Sequence, residues 1–359
     1  MTEAQTTQTV DEAAAELFAD KIGEMLNGGA VALMLSIGHR TGLFDVMSGM
    51  TPSTSQEIAK AAGLNERYVR EWLAVMVTGG IVVYDGAAKT YRLPGEHAAC
   101  LTRDAPLGNL AVYAQLIGMG GAVQDRIIEG FRNGGGLAYG EYPHFHAIMA
   151  EDSAQTVVAQ LFDTVLPLAP DLPARLEAGI DVLDAGCGSG RALAAMAVRY
   201  PNSRFTGYDL EQDAIDRARQ AAADLENVRF EALDLTGFDE SERYDLITSF
   251  DAIHDQKDPA GVLARIWRAL RPGGVHLMQD VGGSADLANN LDFPFAPFLY
   301  TASCLHCMPV SLGQGGAGLG TMWGWETAAA MLQAAGFDAP ERIVLEHDPM
   351  NVWFVSRKE

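Results

Sequence analysis

The run Val182-Leu183-Asp184-Ala185-Gly186-Cys187-Gly188-Ser189-Gly190 constrains this chain more than any other stretch. An apolar run enters a turn with glycine at alternate positions, and a helical pattern follows. Glycine there supplies backbone angles that other residues resist and lets a ligand approach the main chain. A dinucleotide fingerprint needs its third glycine one position later, where this chain has Arg191, so the nicotinamide reading fails at its defining position. Roughly 20 residues further on, Arg204 to Asp209 reads as a second short strand ending in an acid, and a carboxylate there can accept from both hydroxyls of a ribose.

Short apolar runs then alternate with helical patterns. Strands are expected at 180–184, 204–209, 227–231, 244–249 and 274–280, and helices at 190–199, 211–224 and 259–270. That alternation implies parallel crossover units with a ligand crevice at the carboxyl ends of the strands. Val344 to Glu346 and Val352 to Val355 are the last two strand candidates, after a helix that ends at Gly336.

The turn Asp184-x-Gly186-x-Gly188-x-Gly190, Asp209, and Asn227 to Asp234 follow one another in order, with Tyr244-Asp245-Leu246-Ile247 and Leu270-Arg271-Pro272-Gly273-Gly274 behind them. Together they resemble the class I S-adenosylmethionine-dependent methyltransferases over residues 140–359. The resemblance implies an α/β fold with a Rossmann-like seven-stranded sheet, its final strand reversed, and S-adenosyl-L-methionine as cofactor. Asp184, Gly186, Cys187, Gly188 and Gly190 would shape the cofactor turn. Amides of Gly186 to Gly190 and the start of the next helix offer donors to an anionic group, which in this cofactor is the methionine carboxylate. Asp209 suits the ribose, Leu210 packing on adenine, and Asp234 the adenine amino group, with Leu235, Ser249 and Phe250 beside them. A nucleotide-type sheet that binds another ligand, or none, is the alternative.

The preceding third reads differently. Residues 1–11 are polar and expected to fray. Glu12 to Ile37 is helical, with Gly28-Gly29 dividing it into two helices, and Met34, Ile37, Leu43 and Phe44 are core candidates. Ser55 can cap a helix through Ala62, Asn65 a second one from Glu66 to Val77, and Asp85-Gly86 marks a hairpin between Ile81–Tyr84 and Thr90–Leu93. This resembles a winged helix, the module that opens many small-molecule O-methyltransferases and mediates their dimerisation; in DNA-binding proteins its second helix enters the major groove. From Arg40 to Arg103 there are seven Lys or Arg and six Asp or Glu, without a basic stripe, and Arg67 and Arg70 sit beside Glu66 and Glu71. The helix face is either solvated and charge-balanced or a DNA reader. The net charge of −22 disfavours general adhesion to nucleic acid or anionic membranes. The chain therefore divides into a winged-helix dimerisation domain (1–103), a helical linker (104–170) and a cofactor-binding methyltransferase domain (171–359). The four cysteines do not look like a disulfide framework, no signal peptide opens the chain, and no apolar run is long enough to span a bilayer, so a reducing cytoplasm is the default.

His254 follows the fourth strand in Ser249-Phe250-Asp251-Ala252-Ile253-His254-Asp255. Histidine exchanges a proton near neutrality. The position resembles the His-Asp of metal-independent O-methyltransferases, whose His deprotonates the attacking hydroxyl; Asp280, ending the fifth strand, can orient it. Two features depart from that family: Gln256 replaces its Trp, and its Glu-Arg-Thr stretch is absent, with Met322-Trp323-Gly324-Trp325 near its place. A structural role for His254 is the other reading. Tyr142 to Ala150 resembles the helix that closes over the cofactor, which would bring Phe145 and Met149 to it; plain packing is the alternative. Residues 284–324 form an insertion in which Phe295, Phe298, Tyr300, Cys304, His306 and Trp323 are expected to wall an acceptor pocket under a glycine-rich flexible loop, Gly313 to Gly320. Cys304-x-His306-Cys307 lacks a second cluster for zinc, so no metal is expected. The reading is a homodimeric methyltransferase of a small aromatic or lipophilic acceptor, O-methylation favoured. The rival is a winged-helix DNA-binding regulator with a ligand-sensing methyltransferase-like domain.

Overall fold

The computed structural model describes residues 10–105 and 108–359, so most of the polar lead expected to fray lies outside the described residues. The chain divides into two compact units, Met1–Gly118 and Met119–Glu359.

In the first unit, α1 runs unbroken over Glu12–Arg40, capped by Asp11, whose side chain accepts from Ala14 N. Gly28 and Gly29 do not divide it: a Cβ added at either would meet nothing within 4 Å. A glycine inside a helix costs only about 1 kcal/mol against alanine, which the remaining turns absorb. After α2 (Leu43–Ser48), α3 (Ser55–Ala62) is capped by Thr54 and not by Ser55. Thr54 Oγ1 accepts from Glu57 N while Glu57 reaches back to Thr54 N, a reciprocal cap invisible to a rule that looks only for the first polar residue. Asn65 caps α4 (Glu66–Thr78). The wing is short: β1 (Val83–Asp85) pairs antiparallel with β2 (Thr90–Arg92). Its turn is longer than Asp-Gly, with Asp85 Oδ1 accepting from Ala87 N and Ala88 N. Phe44, Ile58, Leu73 and Met76 are fully buried, and the Trp72 indole donates to Met34 O. A single turn, α5 (Gly95–Ala98), leads to α6 (Ala111–Asn133), which runs through Gly118, Gly120 and Gly121 without a break.

The second unit opens with α7 (Phe145–Thr156) and α8 (Leu172–Ala178). Crossover pairs follow: β3 (Asp181–Ala185), α9 (Arg191–Arg199), β4 (Arg204–Asp209), α10 (Gln212–Ala221), β5 (Val228–Ala232), β6 (Tyr244–Phe250), α11 (Pro259–Ala269) and β7 (Leu270–Val281). Then come α12 (Ala296–Ala302), α13 (Met308–Gly313), α14 (Trp325–Ala335), β8 (Glu341–Leu345) and β9 (Asp348–Arg357). The seven strands lie in the order β5-β4-β3-β6-β7-β9-β8. All are parallel except β9, which runs antiparallel to both β7 and β8. From β3 the chain winds outward through β4 and β5, then returns to place β6 on the other side of β3. Winding therefore reverses between β3 and β6, and a crevice opens at their carboxyl ends. Each sheet face buries its own core. Leu193, Met196, Ile215 and Trp353 belong to one; Ile247, Leu263, Met278 and Phe354 belong to the other.

Residues 284–324 are largely helical, and the glycine-rich stretch is anchored rather than loose. Ser311 Oγ donates to Gln256 O and accepts from Gly318 N, and Ala317 N donates to Lys257 O.

Gly190 caps α9 at φ 69, and a Cβ there would stand 2.4 Å from the Phe230 ring. Gly190→Ala is expected to cost about 2–5 kcal/mol through backbone strain and overpacking. Urea unfolding checks this, and an unchanged midpoint would contradict it.

Candidate active site

The turn after β3 is built by hydrogen bonds it makes with its neighbours. Gly186 N and Cys187 N both donate to Tyr208 O, Gly190 N donates to Cys187 O, and Gly188 N donates to Asp209 Oδ2 at 2.8 Å. The amides of Gly186, Cys187, Gly188 and Gly190 thus shape the loop. The start of α9, the other half of the expected donor set, has its first intrahelical bond from Ala194 N to Gly190 O, so the amides before Ala194 are not used within the helix. Gly188 has φ 52, and a Cβ added to it would meet nothing within 4 Å. The main chain there is open to a ligand on a side flanked by a helix start and by Asp209. Asp209 ends β4, half-buried, and its Oδ1 accepts from Glu211 N at 2.9 Å. Each oxygen keeps a second acceptor position. This donor and acceptor set fits a ligand with an anionic end and a diol.

Other residues expected at the cofactor stand differently. Asp184 is buried beneath the turn and accepts from Thr248 Oγ1 at 2.7 Å; burial pushes its carboxyl up to about 7. Ser249 Oγ is turned into the sheet, 2.9 Å from His276 Nε2, and Leu235 is buried in the core. Both therefore serve packing. Leu210 is exposed, and Cys187 and Phe250 are half-buried at the crevice. Asp234 lies beyond the end of β5. It caps a short turn by accepting from Thr236 N and Oγ1, and it pairs with Lys257 Nζ. Burial raises its pKa, but Lys257 and Thr236 outweigh that and hold it below the usual carboxylate range. Lys257 escaped the sequence reading because nothing in its spacing links it to an acid 23 positions earlier.

His254 sits in the loop after β6, 2% exposed. Its Nδ1 lies 2.9 Å from Asp280 Oδ1, and Asp251 Oδ1 is 3.7 Å away. The same Asp280 oxygen accepts from Trp323 Nε1 at 3.0 Å and from Val281 N at 2.8 Å. A carboxylate oxygen so used places the proton on Nδ1 and leaves Nε2 as the basic nitrogen. Burial alone would push the imidazole down. The Asp280 carboxylate, then the Cys307 sulfur, outweigh burial and hold His254 well above the ordinary imidazole range, not near the unperturbed value. Buried histidines without an anion behave oppositely: His276 and His306 are pushed down to about 3.

The expected pocket residues separate into four groups. Trp323 is buried beneath Asp280 as a hydrogen-bond donor and not as a wall. His306 and Phe145 stack with ring centroids 3.9 Å apart, and Tyr142 meets the same imidazole edge-on at 4.5 Å. Tyr139, which the sequence reading missed, donates to Asp255 and stacks near His146 and His306. Phe295, Phe298 and Tyr300 pack with Val281, Leu299 and Met322, next in the chain to Asp280. Cys304 and Met149 are half-buried on their own helical segments. The structure thus joins Phe145, His306 and Cys307 in one group and His254, Asp280 and Trp323 in another, with Tyr139 reaching from the first to Asp255, next in the chain to His254.

Both parts of the chain resemble known proteins. Residues 176–304 match the family described as a methyltransferase domain, and residues 29–103 match the Rv2258c-like winged HTH domain. Trans-aconitate 2-methyltransferase of Deinococcus radiodurans is 39% identical over 98 residues, 27% of this chain and 36% of that protein. The chain spans less than half the length of the curated relatives it matches in this way. Human N-acetylserotonin methyltransferase, solved in complex with S-adenosylmethionine, aligns over 100% of this chain and 99% of its own, with a TM-score of 0.68 at 17% identity. The mitomycin 7-O-methyltransferase aligns over 96% and 99%, with a TM-score of 0.66 at 18% identity. The chain is a class I methyltransferase-fold protein with an amino-terminal winged-helix domain.

Trp323→Phe removes one donor from a fully buried carboxylate. It is expected to cost about 1.5–3 kcal/mol of stability. Equal unfolding midpoints for the variant and the wild type would show that this hydrogen bond is not made.

Proposed function

We propose that this protein is an S-adenosylmethionine-dependent methyltransferase that methylates a hydroxyl on a small aromatic or lipophilic acceptor, with His254 as general base. The buried His254–Asp280 pair carries the reading. It stands at the carboxyl end of the sheet beside the glycine turn, where a donor held by Asp209 and the start of α9 would lie within the same crevice. When bound, S-adenosylmethionine supplies an electrophilic methyl group. The protein's own part is positioning and proton removal. His254 Nε2 takes the acceptor's proton, and Asp280 stabilises the imidazolium that results. The rings of Phe145, Tyr139 and His306 offer a planar acceptor an aromatic surface.

On α1, Leu17, Phe18, Met25 and Leu26 are all exposed, with Leu17 72% accessible. Such a face favours a second copy of the chain, and a homodimer is the assembly proposed. On α4, Arg67 pairs with Glu71 and Arg70 with Glu66, which supports a charge-balanced helix over a phosphate-binding one. No helix among the described residues is long and apolar enough to cross a membrane. We place the protein in the cytoplasm.

His254→Ala should lower turnover by about 100- to 10,000-fold while leaving S-adenosylhomocysteine affinity intact. Asp209→Ala should do the reverse, weakening that affinity about 10- to 150-fold in calorimetry. Full turnover in the first variant, or unchanged affinity in the second, would remove the assignments. The protonated imidazole cannot accept a proton, and Asp280 favours that form. The wild-type rate should therefore rise with pH through an alkaline limb above about 6.5, and acceptors already ionised should lose that limb. A rate already level at pH 6 would contradict the assignment.

A further inference from the structure

Asp251, His254 and Asp280 bring two carboxylates and an imidazole together, with one ligand atom from each within 4.8 Å of the others. His254 Nδ1 stands 2.9 Å from Asp280 Oδ1 and 3.7 Å from Asp251 Oδ1. The His254–Asp280 hydrogen bond accounts for the first distance and not for the second. Asp251 Oδ1 faces the same nitrogen, is buried, and has no hydrogen-bond partner among the described residues. Asp280 is 0% exposed, and its Oδ2 is equally without a partner there, because its donors all go to Oδ1. Two buried carboxylate oxygens without donors are costly unless a positive group answers them. The backbone holds Asp251 in place, since its amide donates to Gln279 O at 3.0 Å, next in the chain to Asp280. Atoms bound to one cation at about 2.0–2.2 Å lie roughly 2.9–3.4 Å from each other, so the set is near the spacing that a cation imposes. The Asp251 side chain is 28% exposed, which gives a path from solvent.

We propose that Asp251, His254 Nδ1 and Asp280 form a binding site for a divalent transition cation of the zinc class, and that the bound cation silences His254 as a base. An imidazole with two carboxylates suits zinc better than magnesium, which prefers oxygen ligands alone. The cation bonds to the Nδ1 lone pair, and the proton on Nδ1 of the neutral ring moves to Nε2. Nε2 then has no lone pair left to take a proton from an acceptor. Asp251 Oδ1 and Asp280 Oδ2 supply the other two bonds, and Asp280 Oδ1 keeps its donors from Trp323 and Val281. The silencing rests on the reading of His254 as general base. The binding does not, and both are measured without methyl transfer, so a failure of that reading and a failure of this inference are distinguishable.

The test strips the full-length protein with a chelator and titrates it with Zn²⁺ by calorimetry. One Zn²⁺ should bind per chain, and millimolar Mg²⁺ should not displace it. Loss of an outer-shell partner costs about 10- to 100-fold in metal affinity, so Asp251→Asn and His254→Gln, checked for folding by circular dichroism, should each weaken Zn²⁺ binding by at least about 10-fold. Cys307→Ser should leave the affinity unchanged, which separates this site from the Cys304-x-His306-Cys307 stretch. Nitrogen-15 NMR of the zinc-bound protein should show the His254 proton on Nε2. No Zn²⁺ bound by the wild type, or unchanged affinity in a folded Asp251→Asn protein, would overturn the site. A zinc-bound ring that keeps its proton on Nδ1 would overturn the silencing.

Discussion

A fully buried carboxylate needs partners to hold its charge, and at Asp280 this structure brings three donors to one oxygen, Oδ1, while Oδ2 is buried with no hydrogen-bond partner among the described residues. Its Oδ1 accepts from an imidazole, an indole and a backbone amide. Each donor comes from a different part of the chain: the loop after β6, the segment before α14, and the end of β7 itself. Truncating any of them leaves charge in a medium that solvates it poorly. The pairing thereby fixes the position of His254, the path of the loop that bears it, and the placement of Trp323. It also sets the electrostatics of the crevice, because three buried histidines in one sheet domain differ according to whether a carboxylate faces them.

The sequence showed most of the sheet because apolar runs, glycines and strand-ending acids are local signals. The positions of β3 to β7, the pairing of a histidine with the acid ending the fifth strand, and the winged-helix pattern were all readable from it. Contacts that depend on who lies beside whom were not. Nothing local tells that Ser249 turns toward His276, that Lys257 reaches Asp234, or that Trp323 serves a carboxylate instead of an acceptor. The bonds that the turn amides make were hidden for a related reason. Gly186 N and Cys187 N donate to Tyr208 O and Gly188 N to Asp209, and only the folded sheet brings these acceptors to them. Gly28-Gly29 misled in the other direction, since a long helix tolerates what a propensity rule treats as a break.

The same physics links the insertion to the sheet. Residues 284–324 supply Trp323, which donates to Asp280, and a neighbouring group in which Thr321 and His306 both meet the Cys307 sulfur. Ser311 and Ala317 fasten the glycine-rich stretch to Gln256 and Lys257, immediately after the His-Asp pair. Lys257 in turn holds Asp234, next to the end of β5. Hydrogen bonds and an ion pair thus tie the glycine-rich stretch, through Lys257 and Asp234, to the end of β5. Changes at one end are expected to be felt at the other through these contacts.

The central claim is that Asp280 fixes the His254 proton on Nδ1 and raises the affinity of the ring for a second one. Nitrogen-15 NMR of the imidazole rings, with His254 assigned by the signal lost in His254→Gln, measures both directly. The account predicts a neutral form protonated at Nδ1 that titrates above the ordinary value of about 6.5, and a fall toward or below that value in Asp280→Asn. A His254 ring that titrates below 6.5 in the wild type, or whose neutral form carries its proton on Nε2, would contradict it.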